Sequence, residues 1–225
     1  MRSCRFLAGI MAVLMILVCP VVTAAEEYDY TGAIITVSDL IFNGSDEAQL
    51  VFNLDKVPDT GILSLKLRVH YETDYLELVA FDIEKLFGYV TNQGKLTANP
   101  FVVTWDTYEL AYETGRLMTL TFKAGDLQNL PKGEELVYVE CSWVNTYASG
   151  TTVPVEAEYR MNQPGVYAIT AVDVNGDSRI NTDDALYLLR HSILPGRYPV
   201  YADGDLNGNG IVDGKDAELL YKLLD

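Results

Sequence analysis

The nine residues Leu63-Ser-Leu-Lys-Leu-Arg-Val-His-Tyr71 alternate strictly between apolar and polar. Leu63, Leu65, Leu67, Val69 and Tyr71 fall on one side of an extended chain, and Ser64, Lys66, Arg68 and His70 on the other. Side chains of a strand point to opposite faces with a period of two. The stretch therefore predicts a strand in a sheet with one buried face and one wet face.

The flanking sequence continues in the same manner. Further strands are predicted at Ala33–Ser38, Ala48–Leu54, Tyr75–Phe81, Phe101–Asp106, Leu117–Lys123, Leu136–Val144 and Thr152–Tyr159. Turn signals separate them: Asn43-Gly44, Pro58-Asp-Thr-Gly61, Asn92-Gln-Gly94, Asn99-Pro100, Pro131-Lys-Gly133 and Ser149-Gly150. Many short strands at this spacing predict an antiparallel β-sandwich or jelly roll.

Beyond Tyr159 the composition changes, and a twelve-residue acidic loop is written twice. The copies are Asp173-Val-Asn-Gly-Asp-Ser-Arg-Ile-Asn-Thr-Asp-Asp184 and Asp205-Leu-Asn-Gly-Asn-Gly-Ile-Val-Asp-Gly-Lys-Asp216. Positions 1, 3, 5, 9 and 12 carry side-chain oxygens in both: Asp173, Asn175, Asp177, Asn181 and Asp184, then Asp205, Asn207, Asn209, Asp213 and Asp216. Position 8 is a branched aliphatic, Ile180 or Val212. This is the spacing by which an EF-hand-type loop wraps Ca²⁺, with the backbone carbonyl of position 7 (Arg179, Ile211) as a further ligand. A hard cation of that size takes about six to eight oxygens, so a short loop has to offer carboxylates and amides on alternate residues as it curls. Two Ca²⁺ ions are expected. At position 6 the second loop has Gly210 and the first Ser178. Positive φ there costs a residue with a Cβ about 1 kcal/mol, so the first site is expected to be the weaker.

Each loop leads into a short helical segment, Asp184–Ile193 stopped by Pro195-Gly196, and Asp216–Leu224. Leu186, Leu189 and Ile193 fall at i, i+3 and i+7, and Leu219, Leu220, Leu223 and Leu224 make a similar stripe. The helix that would enter each loop of a true EF-hand is missing. Over Ile169–Leu224 this tandem, D-x-N-G-[DN]…[IV]-[ND]-x-x-D-A in each half, resembles a dockerin domain of cellulosome-type systems. The resemblance implies calcium-dependent docking onto the cohesin of a larger scaffoldin. It places the partner-facing residues at loop positions 10 and 11 and on the following helix: Thr182, Asp183, Leu189 and Arg190 in one half, Gly214, Lys215, Tyr221 and Lys222 in the other. Apart from Arg190 and Lys222 the two sets are chemically unlike, so one face is expected to dominate.

The strand region carries a second resemblance. Gly61-Ile62 before Leu65…Tyr71-Glu72…Leu76-Glu77-Leu78-Val79, then Gly115-x-Leu117-x-x-Leu120-x-Phe122-Lys123, is similar to a cohesin-type jelly roll. Glu72 stands where those modules usually have Asp. The resemblance implies a receiver for the dockerins of polysaccharide-degrading enzymes.

Residues 1–25 read as a secretory leader. Arg2 and Arg5 precede an apolar run from Phe6 to Val18, and Val22-Thr-Ala24-Ala25 offers a cleavage site. The run is short for a membrane span, and Val18 and Pro20 around Cys19 suit lipid attachment poorly. Cleavage would take the formal charge from −16 to −18 and leave Cys141 as the one cysteine, so packing and metal rather than disulfides are expected to stabilise the protein. That acidity argues against nucleic acid and anionic membrane as partners. The expected organisation is a leader (1–25), a β domain (26–162), a short linker (163–168) and the calcium module (169–225). No direct membrane anchor is expected, and attachment to a cell would be indirect.

Catalytic signals are absent. His70 and His191 have no Cys or His at zinc-ligand spacing, and neither a nucleophile elbow nor a phosphate loop occurs. Glycosidase-type carboxylate pairs are available from the many Asp and Glu residues, but the β segment is short for such an enzyme. The expected role is a secreted, non-catalytic adaptor scaffoldin. The alternative is a carbohydrate-binding or accessory module, for which Trp105, Tyr108, Tyr112, Trp143 and Tyr147 would supply a stacking platform.

Overall fold

The alternating stretch forms β4 (Ile62–Tyr71) and lies at the centre of a five-stranded sheet, between β9 (Val137–Tyr147) and β7 (Phe101–Ala111). The structure is a computed structural model and describes residues 30–131, 135–148, 150–169, 172–200 and 204–224. The leader expectation falls outside these residues. Sheet order is β10-β9-β4-β7-β6, with β10 at Pro154–Glu156 and β6 at Tyr89–Gln93. A second sheet runs β11-β1-β3-β8-β5: Tyr159–Met161, Ala33–Val37, Glu47–Lys56, Gly115–Ala124 and Leu76–Ile83. Among the described strands of these sheets the pairings are antiparallel except β1 with β11, where Ala33 pairs with Tyr159 in parallel. The two sheets make a β-sandwich.

Its core is the inner face of both sheets. Leu65, Leu67 and Val69 are fully buried, as are Leu50, Phe52, Leu120 and Phe122 from the other sheet. Each side chain of this size contributes about 1.5–3 kcal/mol by leaving water. Trp105 is also fully buried, and its indole N–H donates to the Glu84 carbonyl at 3.0 Å, so no polar group is stranded. One expected core position moves. The register of β4 shifts between Ile62 and Ser64, which brings Ile62 into the core and leaves Leu63, though buried, outside the core cluster. A bulge of this kind inverts the alternation on one side of itself.

Four more strands are described than were foreseen, and the predicted strand Thr152–Tyr159 divides into β10 in one sheet and β11 in the other. β6 is short and has no buried residue. β2 (Leu40–Asn43) and β12 (Val166–Ile169) are four residues each and pair in parallel, Val166 with Leu40 through Ile169 with Asn43. The predicted linker 163–168 thus includes most of a strand, and the residues before it are stitched to both sheets. The Asn162 side-chain amide accepts from Val37 N–H at 2.8 Å and donates to Val37 C=O at 2.7 Å. Gln163 does the same with Val139, at 2.8 and 2.9 Å. Thr31–Asp225 forms one compact unit.

Two helices follow among the described residues, α1 (Thr182–Ile193) and α2 (Gly214–Leu224). Their core joins Ala185, Leu188, Ala217, Leu219 and Leu220 to the loop residues Val174 and Leu206. The expected α1 stripe does not face this core: Leu186, Leu189 and Ile193 are 43%, 43% and 70% exposed. Small Ala185 and Leu188 take the buried side instead, in one cluster with Val174 and Leu206 at position 2 of each loop. No helix among the described residues is long and apolar enough to cross a membrane.

Candidate functional site: twin acidic loops and an interhelical groove

The duplication read in the sequence is a duplication of hydrogen bonds. Asp173 accepts from Asp177 N–H (3.2 Å) and Ser178 N–H (2.8 Å), and Asp205 accepts from Asn209 N–H (3.1 Å) and Gly210 N–H (2.8 Å). The oxygens of Asn175 and Asn207 accept from Asp177 and Asn209 N–H, and those of Asp177 and Asn209 accept from Arg179 and Ile211 N–H. At the end of the loops, Asp184 takes N–H groups of Val174, Asn175 and Asn181 at 3.0, 3.3 and 2.9 Å. Asp216 takes those of Leu206, Asn207 and Asp213 at 2.8, 3.1 and 2.9 Å. Short polar side chains that bind backbone two to five residues on are what curls each loop.

The same residues start the helices. Asn181 caps α1 by accepting from Asp183 N–H at 2.7 Å while Asp184 reaches back to Asn181 N–H, a capping box. Asp213 accepts from Lys215 N–H at 2.7 Å in the same way for α2. Backbone conformation matches too. Ser178 has φ 66° and Gly210 φ 84°, and Ser178 is the one non-glycine residue with positive φ among those described.

The donor set suits a hard divalent cation. Asp184 and Asp216 are fully buried, and among the described residues neither forms an ion pair. A carboxylate so placed is costly unless a positive charge joins it; in each, Oδ1 accepts two N–H groups and Oδ2 one, so Oδ2 keeps a lone pair. What the structure contains is the scaffold of the loops. Among the described residues no three His, Cys, Asp or Glu side chains gather in one metal-holding cluster.

Above the loops, α1 and α2 enclose a groove of about 510 Å³ lined by Thr182, Asp183, Leu186, Leu189, Glu218 and Tyr221, with Ala185, Ala217 and Gly214 on its floor and rim. A Cβ built on Gly214, at the start of α2, would lie 3.9 Å from Leu189 Cδ1 of α1. Most lining residues are mates under the 32-residue repeat: Thr182 with Gly214, Ala185 with Ala217, Leu186 with Glu218, Leu189 with Tyr221. Five sequence-predicted partner residues meet here, namely Thr182, Asp183, Leu189, Gly214 and Tyr221. The other three stand aside. Arg190 is 6.0 Å from the Tyr198 ring, Lys215 pairs with Glu218 at 3.4 Å, and Lys222 pairs with Glu218 at 2.9 Å and with Asp39 at 2.8 Å. Leu186 and Glu218 were missed, although they lie one helical turn after Thr182 and Gly214 on the same side.

The sandwich offers a second surface, the outer face of β9-β4-β7. There Lys66 lies 4.4 Å from the centre of the Trp143 ring, and His70 lies 3.7 Å from Glu140 and 6.0 Å from the Tyr138 ring. Of the aromatics read as a platform, Trp105 belongs to the core, Trp143 and Tyr147 are half-buried, and Tyr112 and Tyr108 are 57% and 86% exposed. Tyr108 leans on Tyr89 with ring centres 5.1 Å apart. Burial pushes the Cys141 thiol up to about 12, so it has no reactive thiolate at neutral pH.

No family model matches the chain, and no curated protein matches it. Solved structures similar to it include the seventh ScaB type I cohesin of Pseudobacteroides cellulosolvens (9% identity, 66% of this chain and 99% of that one, TM-score 0.49). A cohesin from a type I cohesin–dockerin complex of Clostridium thermocellum is similar over 65% of this chain and 98% of that one (14% identity, TM-score 0.48). The third ScaB cohesin of R. flavefaciens, solved with a group 1 dockerin, is similar over 62% and 96% (12% identity, TM-score 0.44). The β-sandwich itself is established by the strand order and registers above.

Proposed function

We propose that this chain is a secreted, non-catalytic adaptor of a cellulosome-type polysaccharide-degrading complex. Its helical module takes up two Ca²⁺, held by Asp173, Asn175, Asp177, Asn181 and Asp184 with the Arg179 carbonyl, and by Asp205, Asn207, Asn209, Asp213 and Asp216 with the Ile211 carbonyl. So loaded, it docks through the α1–α2 groove onto the cohesin of a larger scaffoldin. The cohesin-like sandwich receives the dockerin of an enzyme, and attachment to a cell is indirect. The observation that carries this reading is the groove: an exposed apolar surface built from repeat-related pairs and framed by two loops with one hydrogen-bond plan. Leu186, Leu189 and Tyr221 are exposed together there and rimmed by polar residues, an arrangement that suits a protein contact.

The test is titration calorimetry of the mature chain against a panel of type I cohesins and a panel of dockerins, with Ca²⁺ and with a chelator. Calcium-dependent one-to-one binding to a cohesin supports the helical half of the reading, and binding to a dockerin supports the sandwich half. Silence against both panels overturns it.

The Tyr89–Tyr108 pair favours a second reading, in which the sandwich binds polysaccharide by stacking sugar rings on exposed tyrosine. Retardation in xylan or cellulose-derivative gels that vanishes in Tyr108→Ala supports it. Unretarded migration rules it out.

A further inference from the structure

We infer that the sandwich senses the calcium state of the helical module through β2, which serves both cores at once; this rests on the calcium reading above. Leu40 and Phe42 point into the sandwich and are fully buried there. Ile41, between them, packs against the helical core together with Tyr167 of β12. Opposite faces of one four-residue strand thus belong to different hydrophobic clusters.

Apart from the burial of Leu40 and Phe42, the strand has one backbone partner. In the sheet arrangement described, β2 is hydrogen-bonded to β12 alone. An isolated pair of four-residue strands is unstable in water. β12 divides in the same way: Val166 and Ala168 pack in the sandwich, while Ile169 is a buried member of the helical core and Tyr167 packs on it. Asp173, the first residue of the first loop, follows four positions after Ile169.

A polar latch spans the same joint. One oxygen of Asp39 accepts from Gly165 N–H at 2.9 Å, and the other accepts from the Lys222 ammonium at 2.8 Å. A single carboxylate, with its side chain 13% exposed, therefore ties the start of β2 both to the chain entering β12 and to the last turn of α2. Burial works against the charge of Asp39, yet Lys222 and Gly165 outweigh it and hold the carboxyl below its ordinary range.

The direction of coupling follows. Without a cation, Asp173, Asp177, Asp183, Asp184, Asp205, Asp213 and Asp216 repel one another within two short loops, and so small a core does not resist. As α1 and α2 loosen, Ile169 and Tyr167 lose their seat, β12 releases β2, and Leu40 and Phe42 are held only by their own packing. Calcium is then a ligand of one edge of the sandwich as well as of the loops.

Hydrogen–deuterium exchange on the full mature chain tests this, with uptake of Ca²⁺ followed separately by competition with a chelating indicator. Chelation is expected to lower protection of residues 40–43 and 166–169 by about tenfold or more while the middle of β4 is unchanged. Asp39→Asn, which leaves every loop residue in place, is expected to lower protection of 40–43 several-fold in the calcium-loaded protein. Calcium uptake with 40–43 equally protected in both states overturns the inference and leaves the calcium reading standing. Absence of calcium uptake overturns both.

Discussion

Loop 1 with α1 and loop 2 with α2 repeat one another down to single bonds. Asp184 and Asp216 each close on three backbone N–H groups at matching positions, and Ser178 and Gly210 share a left-handed backbone. On their outer sides the halves part company. Arg190 rests beside Tyr198, whereas its mate Lys222 is held by Asp39 of the sandwich, and Leu186 faces Glu218 where a perfect repeat would put a second leucine. Agreement marks the scaffold that must form for either half to fold. Divergence marks where the module meets other surfaces, its own sandwich on one side and, in the proposed function, a partner on the other.

Breaking the shared scaffold should have the largest effect. In Asp216→Ala three backbone N–H groups lose their acceptor, one in a buried and two in part-buried places, and a buried one left unsatisfied costs about 1–3 kcal/mol. The helical module is expected to lose on the order of 4 kcal/mol and most of its second half. Circular dichroism in saturating Ca²⁺ checks this, and Asp184→Ala should cost a similar amount. A much smaller loss for one of the two would mean that the halves are not energetic equals.

The diverging surface gives the next effect. Tyr221→Ala and Leu189→Ala remove mates that line the same groove, and truncating an interface anchor costs about 2 kcal/mol, roughly thirtyfold in affinity. With a binding cohesin in hand, Tyr221→Ala is expected to weaken the complex more than Leu189→Ala, since Tyr221 offers a larger ring and a hydroxyl. Equal losses would show that the groove is used symmetrically.

How much of this was legible in the sequence differs between the two regions. Loop ligands declare themselves because each needs an oxygen at a fixed position, and the repeat checks every assignment twice. The long strands were readable because Leu65, Leu67, Val69 and their kind alternate over many residues. β2 and β12 were not, since four residues beside Asn43-Gly44 or Pro164-Gly165 look like turn, and their pairing joins positions more than 120 apart in the chain. The exposed α1 stripe misled for a related reason. Periodicity shows that Leu186, Leu189 and Ile193 share a side, but only the tertiary neighbours Val174 and Leu206 decide that Ala185 and Leu188 are the buried side.

The Asp39–Lys222 latch should open at acid pH. The folded carboxyl lies below its ordinary 3.8, so its contribution is complete above the unfolded value and fades as pH falls through the lower folded one. Lys222 is shifted upward: burial lowers it, but Asp39 and Glu218 outweigh that, so its side of the pair is complete at neutral pH and lost only in strong alkali. Wild type should therefore unfold at higher temperature than Asp39→Asn at pH 6, and the gap should narrow as pH falls below 3.8 and close once pH is under the lowered folded value. A gap that persists there would assign the effect of Asn to packing.

The smallest change goes to the one position where the loops themselves disagree. Ser178 holds φ 66° with a Cβ, at a cost of about 1 kcal/mol relative to glycine. A Cβ built on Gly210 meets nothing within 4 Å, so Gly210→Ser carries the backbone cost without a clash. Ser178→Gly should thus stabilise the module, and Gly210→Ser destabilise it, by near-equal amounts of at most about 1 kcal/mol. Because both loops then carry glycine, Ser178→Gly should also bring the two calcium affinities together, whereas Gly210→Ser equalises them at the weaker value. Titrations that stay biphasic in both variants would place the difference between the loops in the exchanged acids, Asp177 with Asn181 against Asn209 with Asp213, and not in the backbone at position 6.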